Sequence, residues 1–278
     1  MTASEFTPIV FGASLLAGFL GALTGLGGGV IVTPVLTLFL GVDIRYAIGA
    51  SLVSVVATSS GAAAAYVRDG LSNIRIAMFL EIATTLGAIL GAFLAIIVPT
   101  KALAILFGVI LLQAAWQTTR EHKDSTKQIS PDPLGKKLQL NGSFTLAGKT
   151  ESYVVSRVKT GFALMLGAGT LSGLLGIGSG SLKVIAMDQA MRIPFKVSTA
   201  TSSFMIGVTA AASASVYLSR GYVEPAIAMP VMLGVLLGSL VGARALPVLP
   251  VLTLRRIFAI VVGLVGVEMI VNGIQGKL

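Results

Sequence analysis

The stretch Thr24-Gly25-Leu26-Gly27-Gly28-Gly29-Val30-Ile31-Val32-Thr33-Pro34 decides how this chain is read. Three consecutive glycines interrupt an apolar run that otherwise has the character of a membrane helix. Glycine costs about 1 kcal/mol in a helix interior and permits backbone that other residues avoid. At membrane depth such a break is tolerated only where the backbone faces protein or a watery cavity. The break returns as Gly176-Ile177-Gly178-Ser179-Gly180. The expectation is that the two breaks face each other and form a site for a small anion.

Composition supports a membrane setting. The 278 residues are 55% hydrophobic and 11% charged, where soluble domains carry about 25% charged residues. The apolar segments are long and helical in pattern, which argues for an all-α integral membrane protein and against a β-barrel. The 33 glycines suit closely packed membrane helices. The net charge of +9 resides in loops and helix ends, so it reads as a topology signal rather than a nucleic-acid surface. Cysteine is absent, which removes disulfides, thiol catalysis and thiolate metal sites. Residues 1–8 lack Lys and Arg ahead of the apolar run, so no cleaved signal peptide is expected. The only histidine, His122, lies in a polar stretch. With no His pair, no HExxH and no Walker loop, neither a metalloprotease nor an ATP-driven pump is supported. The chain is not read as an enzyme, and no cofactor or metal is expected.

Apolar segments fall at 8–24, 30–40, 46–66, 74–98 and 101–118, and again at 161–175, 181–191, 197–218, 223–248 and 254–274. The second set repeats the first without gaps at an offset of 151 residues. Gly18 meets Gly169, Gly25, Gly27 and Gly29 meet Gly176, Gly178 and Gly180, Ser51 meets Ser202, Thr58 meets Thr209, and Tyr66 meets Tyr217. Gly87 and Gly91 meet Gly238 and Gly242, and Pro99 meets Pro250. The domain reading is a membrane repeat over 1–118, a cytoplasmic linker over 119–160 and a second repeat over 161–278. If each break forms a hairpin that enters and leaves on one side, each half crosses the membrane an odd number of times and the halves are inverted. Placing the basic linker in the cytoplasm then puts Arg68, Arg75, Arg192, Lys196, Arg244, Arg255 and Arg256 inside as well, as the positive-inside rule asks. The parallel arrangement sends five of these outside, so the inverted repeat is preferred, with glycine-broken half-helices meeting at mid-membrane. Within the linker, the alternation of residues 137–146 around Asn141-Gly142 predicts a β-hairpin with its turn at that pair.

A broken helix presents unpaired N–H groups and the positive end of its dipole, which attract anions. Gly27, Gly28 and Gly29 lead into one half-helix, and Gly178, Ser179 and Gly180 into the other. Ser51, Thr201 and Ser202 are hydroxyl donors on the segments that follow. Lys183 begins the second half-helix; a lysine at membrane depth is costly and marks function. Its counterpart in the first repeat is Val32. Glu81 and Glu268 are membrane carboxylates of the kind that carry coupling protons.

Gly25-Leu26-Gly27-Gly28-Gly29 with Pro34, echoed as Gly176-Ile177-Gly178-Ser179-Gly180, resembles the sulfite exporter TauE/SafE-type (TSUP) membrane permeases. Ala50-Ser51-Leu52 and Ala200-Thr201-Ser202 are similar to that family's small-residue and serine pattern after each glycine motif. The resemblance covers nearly the whole chain, apart from the linker. It implies a multi-pass protein of the cell (inner) membrane that transports small sulfur-containing anions such as sulfite or organosulfonates as an exporter; the two repeats with their paired breaks suggest alternating access by rocking. Its partners are then the anion, the lipid bilayer and coupling protons. Ser179 stands where the first motif has Gly28, and Lys183 replaces an apolar residue; both bear on substrate choice. A passive anion channel and a non-transporting membrane subunit are the alternative readings.

Overall fold

The computed structural model describes residues 3–24, 28–68, 72–119, 132–146, 149–245 and 251–276. The first half consists of α1 (Ala3–Thr24), the short α2 (Gly29–Pro34) continuing into a π-helical segment (Val35–Phe39), α3 (Ile44–Arg68), α4 (Ile74–Ile97) and α5 (Thr100–Thr119). The linker holds α6 (Pro133–Lys137) and strands β1 (Gly142–Leu146) and β2 (Lys149–Tyr153). The second half repeats the first as α7 (Val158–Leu175), α8 (Gly180–Ile185) with its π-helical segment (Ala186–Ala190), α9 (Phe195–Ser219), α10 (Pro225–Ala245) and α11 (Val251–Gln275). Among the described residues, five helices are long and apolar enough to cross a membrane. The protein is an all-α multi-pass membrane protein.

The helices show why they sit in lipid. On α4, Ile74, Met78, Ile82, Leu86 and Leu90 point outward at every fourth position. The buried side of the same helix is built from Ala77, Ala83, Thr84, Gly87, Ala88, Gly91 and Ala92. Such small residues let backbones touch. A Cβ on Gly91 would lie 2.0 Å from the Thr170 carbonyl oxygen of α7, and one on Gly238 of α10 would lie 2.0 Å from that of Leu15 in α1.

These contacts exchange helices between the halves: α4 packs most extensively on α7, and α10 on α1. Helices α3 and α9 pair at the centre, and α5 pairs with α11. Their directions follow from contact order. Gly49 at the start of α3 abuts Tyr222 beyond the end of α9, Ser59 abuts Gly207, and Asn73 N–H donates to Thr201 Oγ1 near the start of α9. The pair α3–α9 is therefore antiparallel. The pair α5–α11 is too, with Gly108 against Gly266 and Gly273 against Lys101. By the same test α4 runs parallel to α7, since Gly87 meets Leu166 and Gly91 meets Thr170 and Leu174.

The linker corrects one expectation. The hairpin exists, but its strands pair Gly142 with Tyr153 through Leu146 with Lys149, so Asn141-Gly142 is not its turn. Asp132 caps a helix by accepting from Leu134 N–H, with Pro133 at the first position. That signal draws residues 133–137 into α6 and takes them from the strand. Asn141 instead accepts from Val155 N–H at 2.9 Å and closes the open end of the hairpin.

Candidate functional site

The start of the first half-helix lies against the second break in the protein interior. Ser51 Oγ, fully buried on α3, lies 3.1 Å from the Gly29 carbonyl oxygen and 2.9 Å from that of Gly176. Its one proton is thus shared between the first residue of α2 and the backbone of the second break. Val30 from the first half and Ile177, Ser179, Gly180 and Ser181 from the second line a common cleft with Ile110, Leu111 and Ala114 of α5. The cleft holds about 10 Å³, roughly one water and no oxyanion. The site is therefore closed.

The two halves hold their half-helices with equivalent bonds. Ser202 Oγ donates to Gly180 O at 3.1 Å, as Ser51 does to Gly29 O. Past each π-helical segment, Val42 N–H donates to Leu36 O and Ile193 N–H to Met187 O, both at 3.0 Å. Thr58 Oγ1 bonds Ser54 O, and Thr209 Oγ1 bonds Met205 O. Every pair is separated by the same 151 residues.

The breaks differ in backbone. Gly28, the cap of α2, has ordinary right-handed angles (φ −66°, ψ −24°), and a Cβ there would collide with Val235 Cγ1 at 2.5 Å. Ser179, the cap of α8, is left-handed (φ 44°, ψ 32°). It follows Gly176 and Gly178 in the same conformation. A serine in that region is strained. Its hydroxyl is buried and has no hydrogen-bond partner.

Lys183 is fully buried. Its Nζ donates to Thr209 Oγ1 at 2.6 Å, and Thr209 Oγ1 lies 2.7 Å from Glu81 Oε1. Thr85 Oγ1 adds a second contact to Oε1 at 3.1 Å. Glu81 Oε2 is buried without a partner. A lone lysine ammonium in this interior would be prohibitive; a carboxylate one hydroxyl away compensates it. Three elements from both halves build the cluster: α8 and α9 of the second, and α4 of the first.

A family model described as "Sulfite exporter TauE/SafE" matches residues 10–269. The chain belongs to the TauE/SafE family. It is 28% identical over 276 residues to "Probable membrane transporter protein YunE" of Bacillus subtilis (strain 168), covering 94% of this chain and 96% of that protein. It is 28% identical over 237 residues to a "Probable membrane transporter protein" of Xylella fastidiosa (strain 9a5c), covering 84% of this chain and 82% of that protein. The archaeal "Probable membrane transporter protein MJ0441" of Methanocaldococcus jannaschii is 24% identical over 278 residues, 95% of each chain. No solved structure matches the chain. This TauE/SafE protein is therefore a membrane transporter, not an enzyme.

Of the residues singled out from the TauE/SafE sequence, the structure gathers Gly28, Gly29, Ser51, Gly178, Ser179, Gly180 and Ser202 around the meeting breaks. Gly27 lies outside the described residues, as do Gly25, Leu26 and His122. Thr201 turns away: its hydroxyl accepts from Asn73 N–H in the loop before α4. Lys183 points from α8 toward α4 and α9 rather than into the cleft. Glu268 is exposed on the outer side of α11. Thr209 and Thr85 carry no distinguishing signal in the sequence, because a threonine in a membrane helix ordinarily bonds its own i−4 carbonyl.

Proposed function

We propose that this protein is a secondary transporter of small sulfur-containing anions such as sulfite or organosulfonates, working as an exporter by alternating access. The halves form an inverted repeat, and the anion binds between the starts of α2 and α8 at mid-membrane. The observation that carries this reading is Ser51, whose hydroxyl reaches Gly29 O at the start of α2 and Gly176 O at the end of α7, and so ties the first helix start to the second break. Helix starts aimed at one point concentrate N–H donors and positive dipole ends where an anion would sit. The inverted arrangement is supported by antiparallel α3–α9 and α5–α11, because helices related by a two-fold axis along the membrane normal would run parallel.

In this reading Gly28, Gly29, Gly178 and Gly180 bring the backbone close to the anion, Ser179 Oγ donates to it, and Lys183, on the side of α8 away from the cleft, supplies positive charge without touching it. Ser51 and Ser202 hold the half-helices at the required spacing. The family description, sulfite exporter, supports the anion class and the direction. The closed cleft supports an occluded state between inward- and outward-open forms, reached by rocking of the pairs α4–α7 and α1–α10 against the α3–α9 centre.

The test is flux of radiolabelled sulfite and of short organosulfonates in vesicles reconstituted with the protein, corrected for protein-free vesicles. Saturable, mutually competing fluxes are expected. Absence of flux for every oxyanion tried between pH 5.5 and about 8 would overturn the proposal; that window spans the range in which most biological transport operates. Unsaturable flux that scales with a conductance would instead favour a channel.

A further inference from the structure

We propose that Glu81 is the proton-carrying residue of this transporter, and that its protonation releases the charge of Lys183 for the anion, so that proton and anion cross together. This deepens the transport reading above and rests on it; export then runs down the anion's own outward gradient, with the proton leaving alongside.

Thr209 has one hydroxyl proton and three polar neighbours within reach: Lys183 Nζ at 2.6 Å, Glu81 Oε1 at 2.7 Å and its own helix carbonyl Met205 O at 2.9 Å. Lys183 can only donate. Thr209 therefore donates either to Glu81 or to Met205. With Glu81 ionised, Thr209 donates to the carboxylate, and the buried pair Lys183–Glu81 is neutral. Bringing an anion to the cleft at Gly180, three residues or about one turn of α8 from Lys183, would add a buried negative charge that the neutral pair does not compensate, which the interior resists. With Glu81 protonated, Thr209 turns to Met205 O, the cluster carries one positive charge, and an anion restores neutrality. The proton has a vacant atom to occupy, since Oε2 is buried and unpartnered while Oε1 already meets two hydroxyls. A buried polar atom left without a partner calls for such an explanation.

The surrounding charges do not replace this pairing. Among the described residues, α7 brings Lys159 and α9 brings Lys196, both exposed. The α8 helix brings Lys183, and the π-helical segment after it carries Asp188, half-buried. On α4 itself Arg75 is exposed and bonded to Gln139. From the linker, the Tyr153 hydroxyl accepts from Asn73 Nδ2 at 2.7 Å, and α9 also carries Tyr217, whose hydroxyl donates to Gly173 O. The arrangement is also one-sided. At the matching positions of the other half stand Val32, Thr58 and Met232, so there is one such cluster among the described residues, and the proposal assigns one proton to each anion.

The experiment uses the full chain in vesicles, with sulfite and with methanesulfonate, whose single charge does not change with pH, and with a pH-sensitive dye inside. For each anion the wild type carries, an inward proton gradient of one unit is expected to raise accumulation of a monovalent anion about tenfold. Proton entry should accompany it, and clamping the membrane potential should leave a monovalent flux unchanged. Glu81→Gln keeps the shape and the hydrogen bonds but cannot titrate. It is expected to continue anion exchange between equal pools while losing gradient-driven accumulation at least fivefold and losing dye response. The inference is overturned if the wild type moves anions while E81Q retains full proton-gradient dependence. Should E81Q fail to reach the membrane, the wild type alone decides: a methanesulfonate or sulfite flux with no accompanying proton movement also overturns it. If the wild type moves neither anion, the transport reading falls first and this inference with it.

Discussion

At the first break, α2 carries Val32, α3 carries Thr58 and α10 carries Met232; at the same three places around the second break stand Lys183, Thr209 and Glu81. Around both, the supporting bonds are the same: serine to the first carbonyl of the half-helix, and a returning N–H that closes the π-helical segment. The scaffold is duplicated and the charge is not. The fold therefore does not need the lysine, since Val32 fills its place at 1% exposure. What stands only in the second half is there for something other than folding.

The largest effect is expected from Lys183→Met. Loss of one partner from a buried ionic pair costs about 3–5 kcal/mol, and flux should fall at least about 100-fold, near 3 kcal/mol in transition-state terms. Adding Glu81→Gln should restore most of the stability, read by thermal unfolding in detergent, without restoring flux. Full flux in K183M would leave the asymmetry without a role. The reciprocal change, Val32→Lys, buries an ammonium where no carboxylate waits. It should cost about 3 kcal/mol or more, with Met232→Glu recovering part of that loss in the same chain. A V32K protein as stable as the wild type would show that the first half was never constrained to be apolar.

Smaller effects separate the two serines. Ser51→Ala deprives carbonyls from both breaks and should cost about 1–3 kcal/mol, whereas Ser202→Ala, with one described acceptor, should cost about 1 kcal/mol. Equal costs would mean that bridging the breaks adds nothing. Ser179→Gly relieves a left-handed serine, a strain of about 1–3 kcal/mol that the added freedom of glycine in the unfolded chain partly offsets, and should raise stability slightly while weakening anion affinity, read by competition in the flux assay.

The smallest effect lies in the linker, which holds only the second half-helix, through Ser156 N–H to Met191 O at 3.0 Å. The Asp132 carboxyl accepts from Val158 N–H and Leu134 N–H, which lowers its pKa below the usual 3.8. A carboxylate depressed in the folded state stabilises above its ordinary value, and that stabilisation is lost as pH falls through the lowered one. Hydrogen-exchange protection factors of the amides at 133–146 and 149–158, which discount the intrinsic slowing of exchange in acid, should fall on acidification in the wild type and be low at all pH in Asp132→Asn.

The helix spans were legible to within a few residues, because lipid imposes long apolar segments and the repeat supplied each one twice. The breaks were legible for the same reason. The hairpin turn was misplaced at Asn141-Gly142 because the alternation there competes with a helix signal at Asp132-Pro133, and the helix signal won. Lys183 and Glu81 could each be noticed as costly charges in a membrane. Their connection could not, since Glu81 reaches α9 across 128 residues of sequence.

Composition and periodicity alone determined that this is a helical membrane protein of two similar halves with paired breaks, since those properties follow from local sequence and the demands of lipid. Only the tertiary structure decided which helices the halves exchange, and so which residues meet. Because α4 of the first half packs on α7 and α9 of the second, a glutamate from one repeat comes within one hydroxyl of a lysine from the other. No local rule in the chain encodes that encounter; it arises from small residues that let those particular helices touch.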